Sequence, residues 1–303
     1  MRRYIKIFLA FAVVIALIWG GVRLHIRLTD GFTLGQIIPQ PYQTEDLPDP
    51  PHYTNEEIKK TDLILSQDFY YIGKGSQSYA FRSADGQHVI KFVKQKHISP
   101  TTLESFICML PGTDNFRETR MARYKERWQL LVTGAYLANR MLKDESRLVF
   151  FHLSPTEGLF SRQVTIHDKL GLTYKIDIDK HQFYIQEYLV TLRKALTEWD
   201  DEKIKVGLSR LINLLLARSK KQIQEDDHLI LENMGFIGTD PVFLDIGRLR
   251  IREELNNPEI YASVLYHDVA PIQRFLQKHH PELKKWFDEE LAQSTLELSP
   301  TQG

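Results

Sequence analysis

Hydrophobic and polar positions divide the chain into a short apolar N-terminal segment and a longer region of mixed pattern. Residues 7–22 have the sequence IFLAFAVVIALIWGGV, which contains no charge and is flanked by Lys6 and Arg23. A helix of this length covers roughly 24 Å, and the flanking cations can extend it toward the ~30 Å hydrocarbon core of a bilayer. The pattern predicts a membrane anchor over residues 1–27. A cleaved signal peptide and a buried core helix are the alternatives.

Cations flank both ends of this apolar segment, so their distribution assigns no orientation. Arg2, Arg3 and Lys6 precede it, and Arg23, His25 and Arg27 follow it. We expect a single-pass protein of a bacterial inner membrane, with the side of the soluble domain left open.

Prolines mark the region that follows the anchor. Residues 37–53, IIPQPYQTEDLPDPPHY, contain five prolines, which disfavour a helix or a central strand. We expect a Pro-rich acidic linker over 28–60 and, at the other end of the chain, a flexible tail over 293–303.

The remaining residues alternate between strand and helix patterns, which predicts an α+β fold. Residues 69–95 have two strand patterns joined by a hairpin turn at Asp85-Gly86. Apolar residues at helical spacing predict a long helix over 116–143, and another follows Asp200. Between these helices, we expect the strand-like segments 172–179 and 182–189 to pair with each other.

Composition narrows the classes of partner. The 39 basic and 39 acidic residues cancel, so no general attraction to nucleic acid is expected. Cys108 is the only cysteine, which excludes an intrachain disulfide and a Cys-based zinc site.

The segment YYIGKGSQSYAF carries the first candidate for phosphate binding. Gly73 and Gly75 are one residue apart, and Ser78 stands where nucleotide-binding hairpins often have a third glycine. Glycines allow backbone amides to approach phosphate oxygens. A glycine-bearing hairpin turn without a ligand is the alternative.

Lys91 is the second candidate. It shares one face of a predicted strand with Val89 and Val93, and a lysine at an inward-facing position needs an anionic partner. A nucleotide phosphate or a helix carboxylate would serve. The alternative is a lysine at a sheet edge with its ammonium group in water.

A third candidate lies in DDHLILENMGFIGTDPVFLDIGRL, residues 226–249. Asn233 and Asp245 are placed to lie on opposite strands of a short hairpin, and an amide oxygen with a carboxylate suits Mg²⁺. Gly247 gives the backbone after Asp245 freedom to turn. The alternative is a capped loop with surface acids.

In order, these parts resemble the protein-kinase-like fold superfamily over the soluble domain. GKGSQSYAF resembles its Gly-rich loop, VIK its lysine strand and DIG its Asp-Phe-Gly motif. The resemblance implies a two-lobe fold, with an N-lobe over 61–190 and a C-lobe over 191–292, that binds ATP and Mg²⁺. It also implies that Lys91 contacts phosphates, that Asn233 and Asp245 bind the metal, and that a hinge at 187–190 places Glu187 beside the adenine.

The sequence departs from the family pattern at the catalytic base. The position five residues before Asn233, where the family has its base Asp, is His228. Asp227 lies six residues before Asn233 and is the candidate base in a loop one residue longer. The glutamate partner of Lys91 is also ambiguous, because Glu118 and Glu126 both lie on the predicted helix 116–143; Glu126 is favoured.

No Ala-Pro-Glu element follows Asp245, so the chain resembles the lipopolysaccharide-sugar and aminoglycoside phosphotransferases more than the eukaryotic Ser/Thr kinases. Three hypotheses follow. The first is a membrane-anchored kinase that phosphorylates a hydroxyl group of an unidentified substrate. The second is an inactive pseudokinase that binds nucleotide or a protein partner at the membrane. The third is an unrelated α+β structural protein of the envelope.

Overall fold

In the computed structural model, which describes residues 2–39, 51–225 and 229–296, the chain begins with helix α1 (Arg2–Thr29). Within the described residues, the 26-residue segment Tyr4–Thr29 is the one helix long and apolar enough to cross a membrane. At 1.5 Å per residue it measures about 39 Å, which exceeds a ~30 Å hydrocarbon core. A signal sequence has the same apolar pattern near the N-terminus, so insertion in a membrane stays a prediction.

The structure contains both helices and sheets, which confirms the predicted α+β class in its coarse form. Among the described residues, seven strands form the main sheet: β1 (Phe69–Lys74), β2 (Ser78–Ser83), β3 (His88–Val93), β4 (Leu148–His152), β5 (Gln163–His167), β6 (Thr173–Asp177) and β7 (Phe183–Glu187). Their order is β4-β7-β3-β2-β1-β5-β6. Neighbouring strands β1, β2 and β3 are antiparallel, whereas β1 and β5 are parallel.

In the part of the chain that the structure describes, five short strands form two smaller sheets: β8 (Val190–Thr191), β9 (Ile223–Glu225), β10 (Met234–Ile237), β11 (Asp240–Phe243) and β12 (Leu249–Ile251). The first has the order β11-β10-β8, and the second pairs β12 with β9. The helices after α1 are α2 (Asn55–Leu65), α3 (Gln95–Ile98), α4 (Thr102–Cys108), α5 (Asp114–Met141), α6 (Lys143–Ser146), α7 (Leu192–Glu198), α8 (Asp201–Lys220), α9 (Ile230–Asn233), α10 (Pro258–His279) and α11 (Pro281–Leu296).

The chain divides into two compact units, Met1–Ile107 with His152–Tyr184, and Cys108–Phe151 with Ile185–Gly303. Helix α5 belongs to the unit that also holds the later part of the chain, and the predicted lobes 61–190 and 191–292 stay predictions. Helix α5 packs on β12, and Gly134 of α5 lies against the backbone of Ile246.

Local patterns predicted several elements correctly. The Asp85-Gly86 hairpin is confirmed, with Gly86 at a φ of 75° and its amide 2.8 Å from the Ser83 carbonyl oxygen. The predicted long helix is α5, and the Asp200 side chain caps α8 by accepting a hydrogen bond from the Lys203 amide at 2.9 Å.

The predicted pairing of segment 172–179 with 182–189 is wrong. Strand β6 pairs with β5, which the sequence analysis did not identify, and β7 lies beside β3 and β4. Two features explain this: Val164 and Ile166 of β5 are fully buried, and residues 178–180 form a 3₁₀ turn in place of a hairpin turn.

Part of the segment predicted as a linker is folded. Phe32 and Ile37 are buried, and the Phe32 ring lies 5.2 Å from that of Tyr79 and 5.4 Å from that of Phe81. Helix α2 starts within the same segment, behind a capping box formed by Thr54 and Glu57. Residues 40–50, where three of the five prolines stand, lie outside the described residues, as do 297–303 of the predicted tail.

Candidate functional site

The predicted site residues fall into two groups, one in each compact unit. The first group is carried by β1, β2 and β3. Gly73 lies in β1 opposite Ala80 of β2, and Ala80 in turn lies opposite Lys91 of β3. Because residues paired across antiparallel strands project to the same face, these three form one row across the sheet. A small residue thus separates the lysine from the glycine.

Neither glycine of the first group is required by the fold. Gly73 and Gly75 are not among the glycines with positive φ, and a Cβ atom added to either would meet no atom within 4 Å. The Gly75 amide donates a hydrogen bond to the Ser78 carbonyl oxygen at 3.0 Å, which closes the turn between β1 and β2. Neither a positive φ nor a steric contact therefore requires glycine at these two positions.

Lys91 is buried at the centre of the main sheet. Its exposure is 7%, and β3 lies between β7 and β2, so the alternative of a lysine at a sheet edge is wrong. The ammonium group lies 5.3 Å from the centroid of the Tyr184 ring, a cation–π contact. Ser78 is also buried, with its hydroxyl 3.4 Å from the Tyr184 hydroxyl. Tyr184 therefore contacts two of the predicted residues.

Lys94 is a residue that the sequence analysis missed. It has an exposure of 4%, its ammonium group donates a hydrogen bond to the Gly75 carbonyl oxygen, and it lies 4.5 Å from the centroid of the Tyr79 ring. Burial, with smaller contributions from Lys96 and Lys74, lowers the pKa of Lys94 to about 8. The segment KFVKQK shows that a second lysine follows Lys91 closely. The alternation of inward and outward side chains along β3, however, predicts an inward position only for Lys91.

The second group is carried by the β10–β11 hairpin. Asn233 immediately precedes β10, and its carbonyl oxygen accepts hydrogen bonds from the amides of Leu244, at 2.8 Å, and Asp245, at 3.4 Å. Strand pairing of Met234 with Phe243 continues this register. Asn233, the last residue of α9, and Asp245, two residues after β11, thus flank the two strands of a short hairpin and do not lie within them. A metal-binding role for them stays a prediction.

Both polar side chains of this hairpin make hydrogen bonds within the protein. The Asn233 amide nitrogen donates to Glu225 Oε1 at 2.5 Å, and both residues are buried. Asp245, which is half-buried, accepts a hydrogen bond from the Gly247 amide at 2.9 Å through Oδ1. Glu225 was not predicted as a site residue, although it directly precedes the candidate segment 226–249.

Helix α5 supports the segment that carries Asp245. A Cβ atom added to Gly134 would lie 2.0 Å from the carbonyl oxygen of Ile246. Only a glycine allows this approach of helix backbone to the loop. The position of the Asp245-Ile246-Gly247 segment is therefore set by backbone packing in the second unit.

The predicted acids on α5 lie at its surface. Glu126, the favoured partner of Lys91, is exposed, and so is Glu118. Glu187 ends β7 and is half-buried, with its amide 3.2 Å from the Arg147 carbonyl oxygen. Their predicted roles toward Lys91 and a nucleotide base stay predictions.

The predicted base, Asp227, lies outside the described residues, together with Asp226 and His228. Among the residues that the structure describes, no three His, Cys, Asp or Glu side chains are grouped to hold a metal ion. Any cation bound here would depend on Asn233, Asp245, Glu225 and ligands from outside this set.

No protein family matches the sequence, and no curated protein matches it significantly. Among solved structures, WbdD is similar with a TM-score of 0.38 and 13% identity, over 74% of this chain and 43% of WbdD. A second structure, of the bifunctional kinase-methyltransferase WbdD, has a TM-score of 0.32 and 15% identity, over 82% and 46%. Rv3197 from Mycobacterium tuberculosis, in complex with erythromycin, has a TM-score of 0.33 and 13% identity, over 94% and 85%.

The chain thus spans less than half the length of the WbdD structures that it matches. At these TM-scores and identities, the similarity assigns no activity, substrate or partner, and the function has to be inferred from the chain's own residues.

Proposed function

We propose that this chain is a membrane-anchored, kinase-like protein that binds ATP with Mg²⁺ and transfers the γ-phosphate to a hydroxyl group. The observation that carries the proposal is the row Gly73–Ala80–Lys91. The row places a buried ammonium group and two small residues on one face of the sheet. From Gly73 to Lys91 it spans about two strand spacings, ~10 Å, and a phosphate chain can lie along it.

The unconstrained glycines support this proposal. No atom lies within 4 Å of a Cβ atom added at 73 or 75, so the backbone there is open to the close approach of a ligand. Lys94 contributes by holding the Gly75 carbonyl oxygen, which fixes the tip of the β1–β2 hairpin.

In the second unit, the donor atoms fit a hard cation. Asn233 uses its amide nitrogen toward Glu225, so its oxygen is the atom suited to a metal, and Asp245 has Oδ2 in addition to the oxygen that accepts from Gly247. Oxygen-only ligands, completed by nucleotide phosphates, are what Mg²⁺ prefers. When bound, Mg²⁺ would neutralise charge on the transferred phosphate.

An inactive, nucleotide-binding module is the second candidate. The observation that favours it is the internal hydrogen bonding of the second group, where Asn233 and Asp245 both have partners within the protein. A scaffold needs no catalytic base, whereas the kinase proposal assigns that role to Asp227.

Thermal melting of the full chain in detergent, with ATP and with or without Mg²⁺, tests nucleotide binding. A ligand at 100-fold excess over its dissociation constant adds ~2.7 kcal/mol of stability. The proposal predicts a Mg²⁺-dependent increase in melting temperature. A chain that shows no increase at any nucleotide concentration would contradict both candidates, and phosphate transfer from labelled ATP would then separate the kinase from the inactive module where binding is found.

A further inference from the structure

The junction between helix α1 and the main sheet is built from specific contacts. Helix α1 ends at Thr29, and Asp30 and Gly31 turn the chain with φ angles of 56° and 76°. Phe32 then enters the aromatic core of the first unit. The helix itself lies outside the core of that unit, because its described side chains are exposed as far as Leu28.

Asp30 gathers groups from two separate turns of the sheet. Its carboxylate accepts hydrogen bonds from the Lys169 ammonium at 3.1 Å and the Tyr71 hydroxyl at 3.1 Å, and its carbonyl oxygen accepts one from the Lys74 ammonium at 2.8 Å. The Lys169 hydrogen bond is the main cause that holds the pKa of Asp30 below its usual value. The β1–β2 and β5–β6 turns are thus both attached to the residue that follows the apolar helix.

A third lysine lies at the same junction. The Tyr79 hydroxyl donates to the Gly31 carbonyl oxygen at 2.7 Å, and a Cβ atom added to Gly31 would lie 4.0 Å from the ammonium nitrogen of Lys96. Lys96 is exposed. Lys74, Lys96 and Lys169 therefore form a basic patch around the end of α1.

The β5–β6 turn presents apolar side chains beside this basic patch. Leu170 and Leu172 are 53% and 55% exposed. Asp168 is buried, and its Oδ1 accepts hydrogen bonds from the amides of both leucines at 2.9 Å. The acid of the turn thus points inward, while Lys169 and two leucines point toward solvent.

Helix geometry sets the depth of these groups if α1 crosses a bilayer. Asp30 lies eight residues beyond Val22, the last residue of the uncharged segment, which corresponds to roughly 12 Å along the axis. The headgroup layer on one side of a bilayer measures about 5–8 Å. Asp30, and with it the ammonium groups of Lys74 and Lys169 that bind it, would then lie close to the headgroups.

We propose that the β5–β6 turn and the basic patch dock on the same bilayer that holds α1, with Leu170 and Leu172 in the interface and the lysines on anionic phospholipid headgroups. Lysines beside exposed leucines are the composition of interfacial membrane contacts. This inference rests on the anchoring part of the proposed function and does not depend on nucleotide binding. It implies that the glycine-bearing β1–β2 hairpin, attached through Lys74, lies close to the membrane surface.

A fluorophore at the turn tests the proposal in the full chain. With Cys108, the only cysteine, replaced by serine, Leu170→Cys is labelled with an environment-sensitive dye in vesicles that contain doxyl-labelled lipid. Leu63→Cys is the matched control, because Leu63 is 71% exposed and its neighbour Asp62 binds Arg162 just before the opposite end of β5. The vesicles contain phosphatidylcholine alone, or with phosphatidylglycerol at about 30 mol%.

The expected result is several-fold stronger quenching at position 170 than at position 63, increased by phosphatidylglycerol and reduced by Lys96→Glu. Equal quenching at the two positions in anionic vesicles would overturn the docking, and quenching that ignores lipid charge would overturn the role of the lysines. Alkaline extraction of the same vesicles tests separately whether α1 anchors the chain in the bilayer. A chain that stays with the lipid has its anchor, whereas a chain that is released shows that the anchoring, and with it this inference, is wrong.

Discussion

The two hairpins that carry the candidate site residues are built in opposite ways. In the β1–β2–β3 region, the glycines contact nothing that requires them, and Lys91 is buried in the sheet. In the β10–β11 region, Asn233 and Asp245 each make a hydrogen bond that the fold itself uses. Substitutions of the glycines in the first region should therefore change ligand binding with little effect on stability. Substitutions in the second region should change both ligand binding and stability.

This difference decides how the site can be tested. A variant at Gly75 reports on ligand approach alone, but a variant at Asn233 removes the partner of buried Glu225 as well. Experiments on the second hairpin consequently need a background in which that partner has been neutralised.

The largest expected effect is on the support of the second hairpin. Gly134→Ala places a Cβ 2.0 Å from the Ile246 carbonyl oxygen, and since both contacting groups are backbone, neither can move away easily. We expect a loss of about 3 kcal/mol in the free energy of unfolding, measured by urea denaturation. An alanine in a helix ordinarily gains up to ~1 kcal/mol over glycine, so a loss identifies the collision.

Gly75→Ala is the matched control for that substitution. Its Cβ meets open space, so its free energy of unfolding should stay within ~0.5 kcal/mol of the original while ATP affinity falls. If Gly134→Ala is as stable as the original chain, α5 does not hold the Asp245 segment.

The second effect concerns the buried lysine. Lys91→Met should abolish the ~2.7 kcal/mol that saturating ATP adds to stability. The unfolding free energy without nucleotide is measured in parallel, so that loss of the ATP response is separated from loss of stability. Lys175→Met, at an exposed lysine of β6 in the same sheet, should keep the response to ATP. Retained stabilisation by ATP in Lys91→Met would remove the phosphate contact from the proposal.

A third, smaller effect measures the coupling inside the second hairpin. Asn233→Ala leaves the Glu225 carboxylate without its 2.5 Å hydrogen bond and should cost ~2 kcal/mol. In a Glu225→Gln background, the same substitution should cost less, because the partner left behind no longer carries a charge. Equal costs in both backgrounds would show that the two side chains do not interact in solution.

The smallest effect is a pH dependence at Lys94. Burial lowers the pKa of Lys94 to about 8, whereas the unfolded chain keeps a lysine value near 10.5. The unfolded state thus binds more protons between these values, and stability should rise with pH there by about 1 kcal/mol per pH unit. Lys94→Met should remove this rise, measured by urea unfolding at pH 8 and 9. An unchanged slope would mean that Lys94 titrates normally.

Local signals predicted the elements that short-range pairing determines. The Asp85-Gly86 turn, helix α5 and the Asn233–Asp245 hairpin all depend on residues within one segment. The pairing of β5 with β1, and hence the position of β6, depends on burial between distant segments, which alternation along one strand does not encode. For the same reason, the burial of Lys94 and Glu225 and the packing of Phe32 on the sheet were not predicted.

The central claim is that Lys91 binds the phosphates of ATP and that Asp245 binds Mg²⁺. Titration calorimetry of ATP into the full chain, with and without Mg²⁺, tests this most directly when Asp245→Asn and Lys91→Met are compared singly and together. The account predicts that Asp245→Asn binds ATP but loses the dependence on Mg²⁺, and that Lys91→Met weakens binding with and without the metal. Full Mg²⁺ dependence in Asp245→Asn would contradict the claim.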